Sequence, residues 1–198
     1  MTYIAARELV FAGQNGYVGV AGDGTEADPF RILVQTGEDG TQGYKSSVSI
    51  TRPNDTSAYA ANDVIGAATG STAAVEFTNM GPSGGSVFIT SAEFEVDASA
   101  IISGETSYRL HLYSVTPPSA LGDNAAHDVP SGDRASYLGY ISLGTPVDLG
   151  STLYVGTDGI NKQIKLAGTS LFGYLVTVGA FTPAAQTVRK ITLHTVAI

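Results

Sequence analysis

The sequence predicts an all-β protein, an antiparallel β-sandwich of the jelly-roll type with an extended N-terminal arm. Three observations carry that expectation. From residue 46 onward, short runs of alternating apolar and polar residues recur, with turn signals roughly every 8 to 15 residues. The 24 glycines and 8 prolines mark many chain reversals, while 43% hydrophobic residues leave enough apolar mass for one core. No stretch after Ser46 shows the 3.6-residue period of a helix three turns long.

At 198 residues the chain fits one domain, or one domain plus an arm, and the composition shifts near residue 45. Residues 1–45 are rich in Ala and Gly, with turn pairs at Asn15-Gly16, Asp23-Gly24 and Asp39-Gly40. Two short apolar pieces, Tyr17-Val18-Gly19-Val20 and Phe30-Arg31-Ile32-Leu33-Val34, interrupt them. Neither is long enough to hold a core of its own. A short helix over 2–11 would cluster Ile4, Leu9 and Phe11. We read 1–45 as an arm or a small appended hairpin, with an edge strand packed on its own domain as the alternative. So many glycines are costly to order alone, which makes a neighbouring subunit a natural partner.

The stretch 47–66 is the hinge of the chain. Val48 and Ile50 share one face of a strand, and Pro53 removes a ladder donor, so the strand ends there. Asn54-Asp55-Thr56 has turn composition, Tyr59 is the one large side chain among small neighbours, and Val64-Ile65 starts a second strand. A strand over 73–79 follows, closed by Gly81-Pro82-Ser83-Gly84-Gly85. In 87–97, Phe88, Ala92, Phe94 and Val96 face one way and Ser91, Glu93, Glu95 and Asp97 the other, a strand with one wet face. In 106–116, Tyr108, Leu110 and Leu112 point inward and Arg109, His111 and Tyr113 outward. Glu93 or Glu95 opposite Arg109 would form a weak cross-strand pair.

Residues 117–134 are the longest strand-free span, and loops of that length are uncommon unless functional or packed. Strands over 135–143, 152–156 and 160–166 follow, the last two joined by Thr157-Asp158-Gly159, a hairpin signal. The strand over 171–180 has Phe172, Tyr174, Val176 and Val178 on one face, and 188–198 closes the chain with Ile191 and Leu193 inward. Eight to ten short strands with short connections bury one face each most economically as two stacked antiparallel sheets. The strand count and the connection at 117–134 favour a jelly roll over an up-and-down barrel.

Several of these runs resemble a family of tailed-bacteriophage virion proteins, head decoration (cement) or minor structural proteins. They are the run from Thr51 to Gly66, Tyr108-Arg109-Leu110-His111-Leu112-Tyr113, Pro117-Pro118-Ser119-Ala120-Leu121, and Pro130-Ser131-Gly132-Asp133-Arg134-Ala135 leading to Tyr137-Leu138-Gly139-Tyr140-Ile141. The resemblance spans roughly Ser47 to the C-terminus and rests on turn and strand signatures without a reactive group. Where the family pattern often has Gly before the Asp, this chain has Asn62, which tolerates left-handed backbone.

The resemblance implies a decoration subunit on the outer capsid surface, made in the host cytoplasm, that stabilises junctions between major capsid proteins. It also implies a homotrimer, because decoration proteins often sit at local three-fold positions. Phe11, Tyr17, Phe30, Arg52 and Tyr59 are the candidate partner contacts, since aromatic residues and Arg carry interface energy and these lie in or beside the arm. The alternative is a tail-associated or receptor-binding module that takes glycans on a sandwich face or at the 117–134 loop.

Other function classes find little support. The formal charge is −8, and the 10 basic residues are scattered, so no phosphate-neutralising patch for nucleic acid is expected. No apolar run approaches the roughly 20 residues that span a bilayer, and the N-terminus lacks the basic-then-apolar pattern of a signal peptide. A chain kept in water is expected. The absence of Cys excludes disulfides and thiolate metal sites.

No residue set specifies a catalytic, cofactor or metal site. His111, His127 and His194 are dispersed, and His111 and His194 read as ordinary surface or interface residues. Asp123, Asp128 and Asp133, with Asn124 and His127, offer oxygen ligands, but their spacing matches no calcium loop and suits turns better. Gly22-Asp23-Gly24-Thr25 lacks the further ligands of a calcium turn. Ser83 lies in a turn without the strand-to-helix step of a nucleophile elbow. Glu93 and Glu95 share a strand face, the ordinary place for charge, whereas glycosidase work needs a carboxyl group in an apolar cleft. The lack of Trp weakens sugar stacking, although 10 tyrosines could substitute. No glycine-rich phosphate loop precedes a helix. An enzyme is therefore not expected.

Overall fold

A computed structural model describes residues 18–21, 31–34 and 42–198. By internal contacts the chain divides into two units, Met1–Thr41 and Gln42–Ile198. In the first, β1 (Val18–Ala21) and β2 (Arg31–Val34) pair antiparallel, with Val18 opposite Val34. They coincide with the two apolar pieces noted in the sequence.

The second unit holds ten strands. They are β3 (Gly43–Thr51), β4 (Val64–Ile65), β5 (Val75–Phe77), β6 (Ser86–Val96), β7 (Tyr108–Tyr113), β8 (Tyr137–Gly144), β9 (Val147–Asp148), β10 (Leu153–Lys165), β11 (Leu171–Thr177) and β12 (Val188–Ala197). One sheet runs β3-β12-β6-β10-β9, and the other runs β4-β11-β7-β8 with β5 also on β11. Every pairing is antiparallel.

The pairings nest about one central hairpin. β7 pairs with β8, β6 with β10, β4 and β5 with β11, and β3 with β12. A long antiparallel ribbon wound over itself gives that order, with successive pairs falling in alternate sheets. This is the jelly roll, an all-β sandwich closed without a helix among the described residues. Antiparallel alternation supplies its core: Ile50, Phe94, Ile191 and Leu193 from one sheet meet Leu110, Leu112, Ile141 and Leu175 from the other, all buried.

Three local expectations are corrected. Asp158-Gly159 does not close a hairpin, because both flanking runs pair with β6 and form the single 13-residue strand β10. The turn residues become a bulge between Asp158 and Lys162, with Gly159 at φ 68° and Asn161 at φ 49°. Phe88 does not share a face with Ala92. On β6 Thr90 is skipped by β12, so the alternation changes phase and Val87 and Ile89 take the core side. Arg109 meets neither Glu93 nor Glu95, because β6 and β7, though consecutive, lie in different sheets.

Candidate functional site: one covered face and one bare face

The two outward faces of the sandwich are built differently. The outer side of β4-β11-β7-β8 carries Tyr113, Tyr174, Val176 and Val64, all buried. Loop residues bury them. Residues 117–134 lie across this face, with Leu121 packed on the apolar cluster, so the long span found in the sequence is a packed cover.

Backbone bonds sew the cover down. Val64 N–H donates to Ala125 O at 2.8 Å, Asn124 N–H to Val64 O at 2.8 Å and His127 N–H to Asn62 O at 2.8 Å. Asn62 sits at φ 68°, the left-handed geometry that Asn tolerates. The Tyr174 hydroxyl donates to Ser119 O at 2.9 Å and accepts from Leu121 N–H at 3.2 Å. Asp133, buried, accepts from Ser119 N–H at 3.1 Å.

A charged pin locks one end of the cover to the stretch after β3. Asp123 accepts from the Tyr59 hydroxyl at 2.6 Å, Gly66 N–H at 2.8 Å and Arg52 Nη2 at 3.3 Å. Arg52 Nε donates to Tyr59 Oη at 2.6 Å, and Nη2 also reaches Asp55 Oδ1 at 3.2 Å. Pro53 ends β3 and small residues follow, so the chain turns sharply enough to bring Tyr59 back over Arg52. Gly66 must lack a side chain: a Cβ there would lie 2.5 Å from Ala73 Cβ and 3.2 Å from Asp123 N. Burial, then the hydrogen bond to Asp123, raises the Tyr59 phenol above the ordinary tyrosine range.

Two histidines meet in the seam between cover and sheet. His111 on β7 and His127 on the cover have ring centroids 3.8 Å apart. His111 Nδ1 is 3.0 Å from Tyr137 Oη, and His127 Nε2 is 3.4 Å from Tyr113 Oη. Burial first, then His127 and Arg109, pushes the His111 pKa down to about 3. Burial also lowers His127, with Asp128 opposing. The sequence places His111 outward on its strand, and it is; the cover then leaves it only 9% exposed.

The outer side of the other sheet is polar, and among the described residues nothing covers it. Lys45, Lys190 and His194 from β3 and β12 stand beside Glu93 and Glu95 of β6. Lys190 Nζ lies 3.2 Å from Glu95 Oε1, His194 Nε2 3.3 Å from Glu93 Oε1, and Lys45 Nζ 4.0 Å from Glu93 Oε2. At its β9 edge, Val147 on the strand and Leu149 just after it are 56% and 65% exposed, and Tyr140 on the β8 edge is 50% exposed with Arg109 over its ring.

A second arginine is buried. Arg189 on β12 lies 3.8 Å from Glu105 Oε1, and Glu105 accepts from the Tyr108 hydroxyl. Its Nε and Nη1 find no hydrogen-bond partner among the described residues, and the guanidinium rests against the Tyr108 and Phe181 rings. Period-two alternation puts Arg189 on the same inward face as Ile191 and Leu193, where Glu105 from the 98–107 connection meets it.

The expected contact residues are placed as follows. Arg52 and Tyr59 are each 2% exposed and are engaged within the chain, as the pin just described. Phe11, Tyr17 and Phe30 lie outside the described residues. Asp123, Asp128 and Asp133 do not converge, and among the described residues no three His, Asp or Glu side chains gather as metal ligands. A shallow groove of about 330 Å³ lies beyond the cover, lined by Glu76, Ser114, Val115, Phe172 and 167–170.

No protein-family model matches the chain, and no curated protein matches it. Solved structures match at low similarity. They include the capsid of Ralstonia phage GP4, at 14% identity, 83% of this chain and 88% of that one, with a TM-score of 0.35. The native virion of Kashmir bee virus at acidic pH follows at 10% identity, 98% and 96% coverage and a TM-score of 0.27. Desmodium yellow mottle tymovirus gives 11%, 84%, 93% and 0.25. At these TM-scores the likenesses carry no argument, and the strand order alone fixes the fold.

Proposed function

We propose that the chain is a virion structural protein of a tailed phage, a decoration subunit that docks on the outer capsid surface and bridges major capsid proteins. The observation that carries this reading is the nested strand order, an architecture used by viral shells, found in a chain with runs that resemble the decoration family in β7, in β8 and in the loops around them. Because fold alone does not fix function, the surface must supply the mechanism. One face is sealed by its own loop, so docking falls to the bare face, the exposed Val147, Leu149 and Tyr140 rim, and the N-terminal unit. Such contacts are weak singly and strong when repeated over a shell. A homotrimer at local three-fold positions would protect the long β3 and β8 edges. In this reading Arg52 and Tyr59 hold the fold that presents the contacts.

The test is co-sedimentation with capsids that lack the protein. Full-length chain is expected to saturate them at a fixed stoichiometry, and a truncation after Thr41, which spares β3, is expected to fold by circular dichroism and lose binding. No pelleting of the full-length chain sinks the decoration reading; full-strength binding by the truncation sinks the arm. A second reading, a tail-associated glycan-binding module, has in its favour the groove where Phe172 lies beside Glu76 and the Ser114 and Thr169 hydroxyls. Specific signals on a glycan array, with no capsid binding, would select it.

A further inference from the structure

We propose that the stacked histidine pair His111–His127 is an acid-sensitive latch, which holds the 117–134 cover closed when both rings are neutral and releases it when they take up protons. The geometry makes it a latch. One ring stands on the sheet, the other on the cover, and their centroids are 3.8 Å apart. Two imidazolium ions at that distance in a half-buried seam repel each other, with few groups to offset them.

The groups that face the pair are these. From its own strand come Arg109, a fixed cation, and Tyr113; from β8 come Tyr137 and Tyr140; from β11 comes Tyr174. On the cover, Asp128 acts on His127 and Asp133 lies near Tyr113. Only Asp128 favours a proton on either ring, whereas Arg109 and the partner imidazole disfavour one on His111. In the open state both rings return to water and to an ordinary histidine pKa near 6.5.

The sign follows directly. A histidine whose closed-state pKa is depressed takes up its proton only on opening, so closure is full above about pH 6.5 and weakens as pH falls below it. With His111 at about 3 when closed, lowering pH from 7.5 to 5.0 favours opening about thirty-fold through that ring alone. Opening would uncover Tyr113, Tyr174 and Val176, an aromatic face hidden at neutral pH.

Hydrogen exchange on the full chain tests this. The probes are the amides of Leu121, Asn124 and His127, which donate to Tyr174 Oη, Val64 O and Asn62 O. After correction for intrinsic exchange rates, their opening is expected to rise at least ten-fold between pH 7.5 and 5.0, while β6 and β12 stay protected. The His111→Gln/His127→Gln double variant, checked for folding by those same strands, is expected to lose the response. Unchanged cover protection in the wild type overturns the latch, and so does a wild-type response in the double variant, which would assign it to carboxylates. Should the double variant not fold, an NMR titration of the wild type decides. Rings that titrate near 6.5 with the cover still protected overturn the proposal, as do rings that stay neutral to below pH 5 with cover protection unchanged; rings that titrate together with cover opening support it.

Discussion

The two outward faces of this sandwich use the same strand grammar to opposite ends. On β7 and β11 the outward positions hold His111, Tyr113, Tyr174 and Val176; on β6 and β12 they hold Glu93, Glu95, Lys190 and His194. The first set is apolar and aromatic and is covered by a loop of its own chain. The second is charged, paired with its neighbours and, among the described residues, uncovered. The difference lies in what an edit should cost. A covered face has removed its polar groups from solvent, so each lost partner leaves an orphan. A bare face can replace a lost partner with water.

The sharpest way to break that contrast is to remove the carboxylate at the centre of the pin. Asp123→Ala strands the Arg52 guanidinium, the Tyr59 hydroxyl and Gly66 N–H together in a buried site. Loss of one partner of a buried charged pair costs about 3–5 kcal/mol, which in a unit of this size lowers Tm by roughly 10 °C. Denaturant unfolding checks it; a loss below about 1 kcal/mol would mean the pin is solvated and the cover loosely held.

Alkali should act on the same interior. Burial, then a carboxylate partner, raises the Tyr59 phenol above its ordinary range, and burial with Glu105 does the same for Tyr108. Both phenols therefore stay neutral in the folded chain. Their raised folded-state pKa gives stability that is full below about pH 10, where unfolded tyrosine starts to ionise, and is lost as pH rises further. The decline should reach up to about 1.4 kcal/mol per pH unit for each phenol. Thermal melts from pH 8 to 11 measure it, and Tyr59→Phe should flatten the slope. A slope the same in Tyr59→Phe would place the alkaline loss elsewhere.

The covered face also marks how far the sequence could be read. Most of the strands, the inward residues Tyr108, Leu110 and Leu112, the stop at Pro53 and the left-handed Asn62 were legible, because each follows from period-two alternation or local turn chemistry, whereas the two-residue β9 and the unbroken β10 were not. The cover was legible only as a long strand-free span. Which face it covers depends on Asp123 meeting Arg52 and Tyr59, a contact made across the fold that no local pattern encodes. For the same reason Arg52 and Tyr59 read as partner contacts in the sequence, although the folded chain encloses both. Asp158-Gly159 illustrates a subtler limit: the pair signals a left-handed residue, which Gly159 is, but whether that makes a hairpin or a bulge depends on the strand alongside. Here β6 pairs with both flanks, and the signal becomes a bulge.

A milder edit tests the cover without creating a buried charge. Tyr174→Phe keeps the ring and removes the hydroxyl that bonds Ser119 O and Leu121 N–H. The expected loss is about 1–2 kcal/mol, with exchange at Leu121 faster and the β6 core unchanged. A uniform loss of protection would make the cover one cooperative unit with the sandwich, and would leave no room for a latch that opens by itself.

The smallest effect belongs to the bare face. Lys190 and Glu95 form a pair 3.2 Å apart, yet both side chains keep about a third or more of their exposure, at 43% and 32%. Water already screens the attraction, and holding two long side chains in register costs rotamer freedom, so Lys190→Ala should change stability by no more than about 0.5–1 kcal/mol. The same substitution probes docking, because a flat charged sheet face offered to a shell is read by its charges. If Lys190→Ala leaves folding intact and still weakens capsid co-sedimentation, most steeply at low salt, the bare face is a docking surface. If stability falls by several kcal/mol, the pair is a structural element like the pin, and the distinction between a covered and a bare face no longer holds.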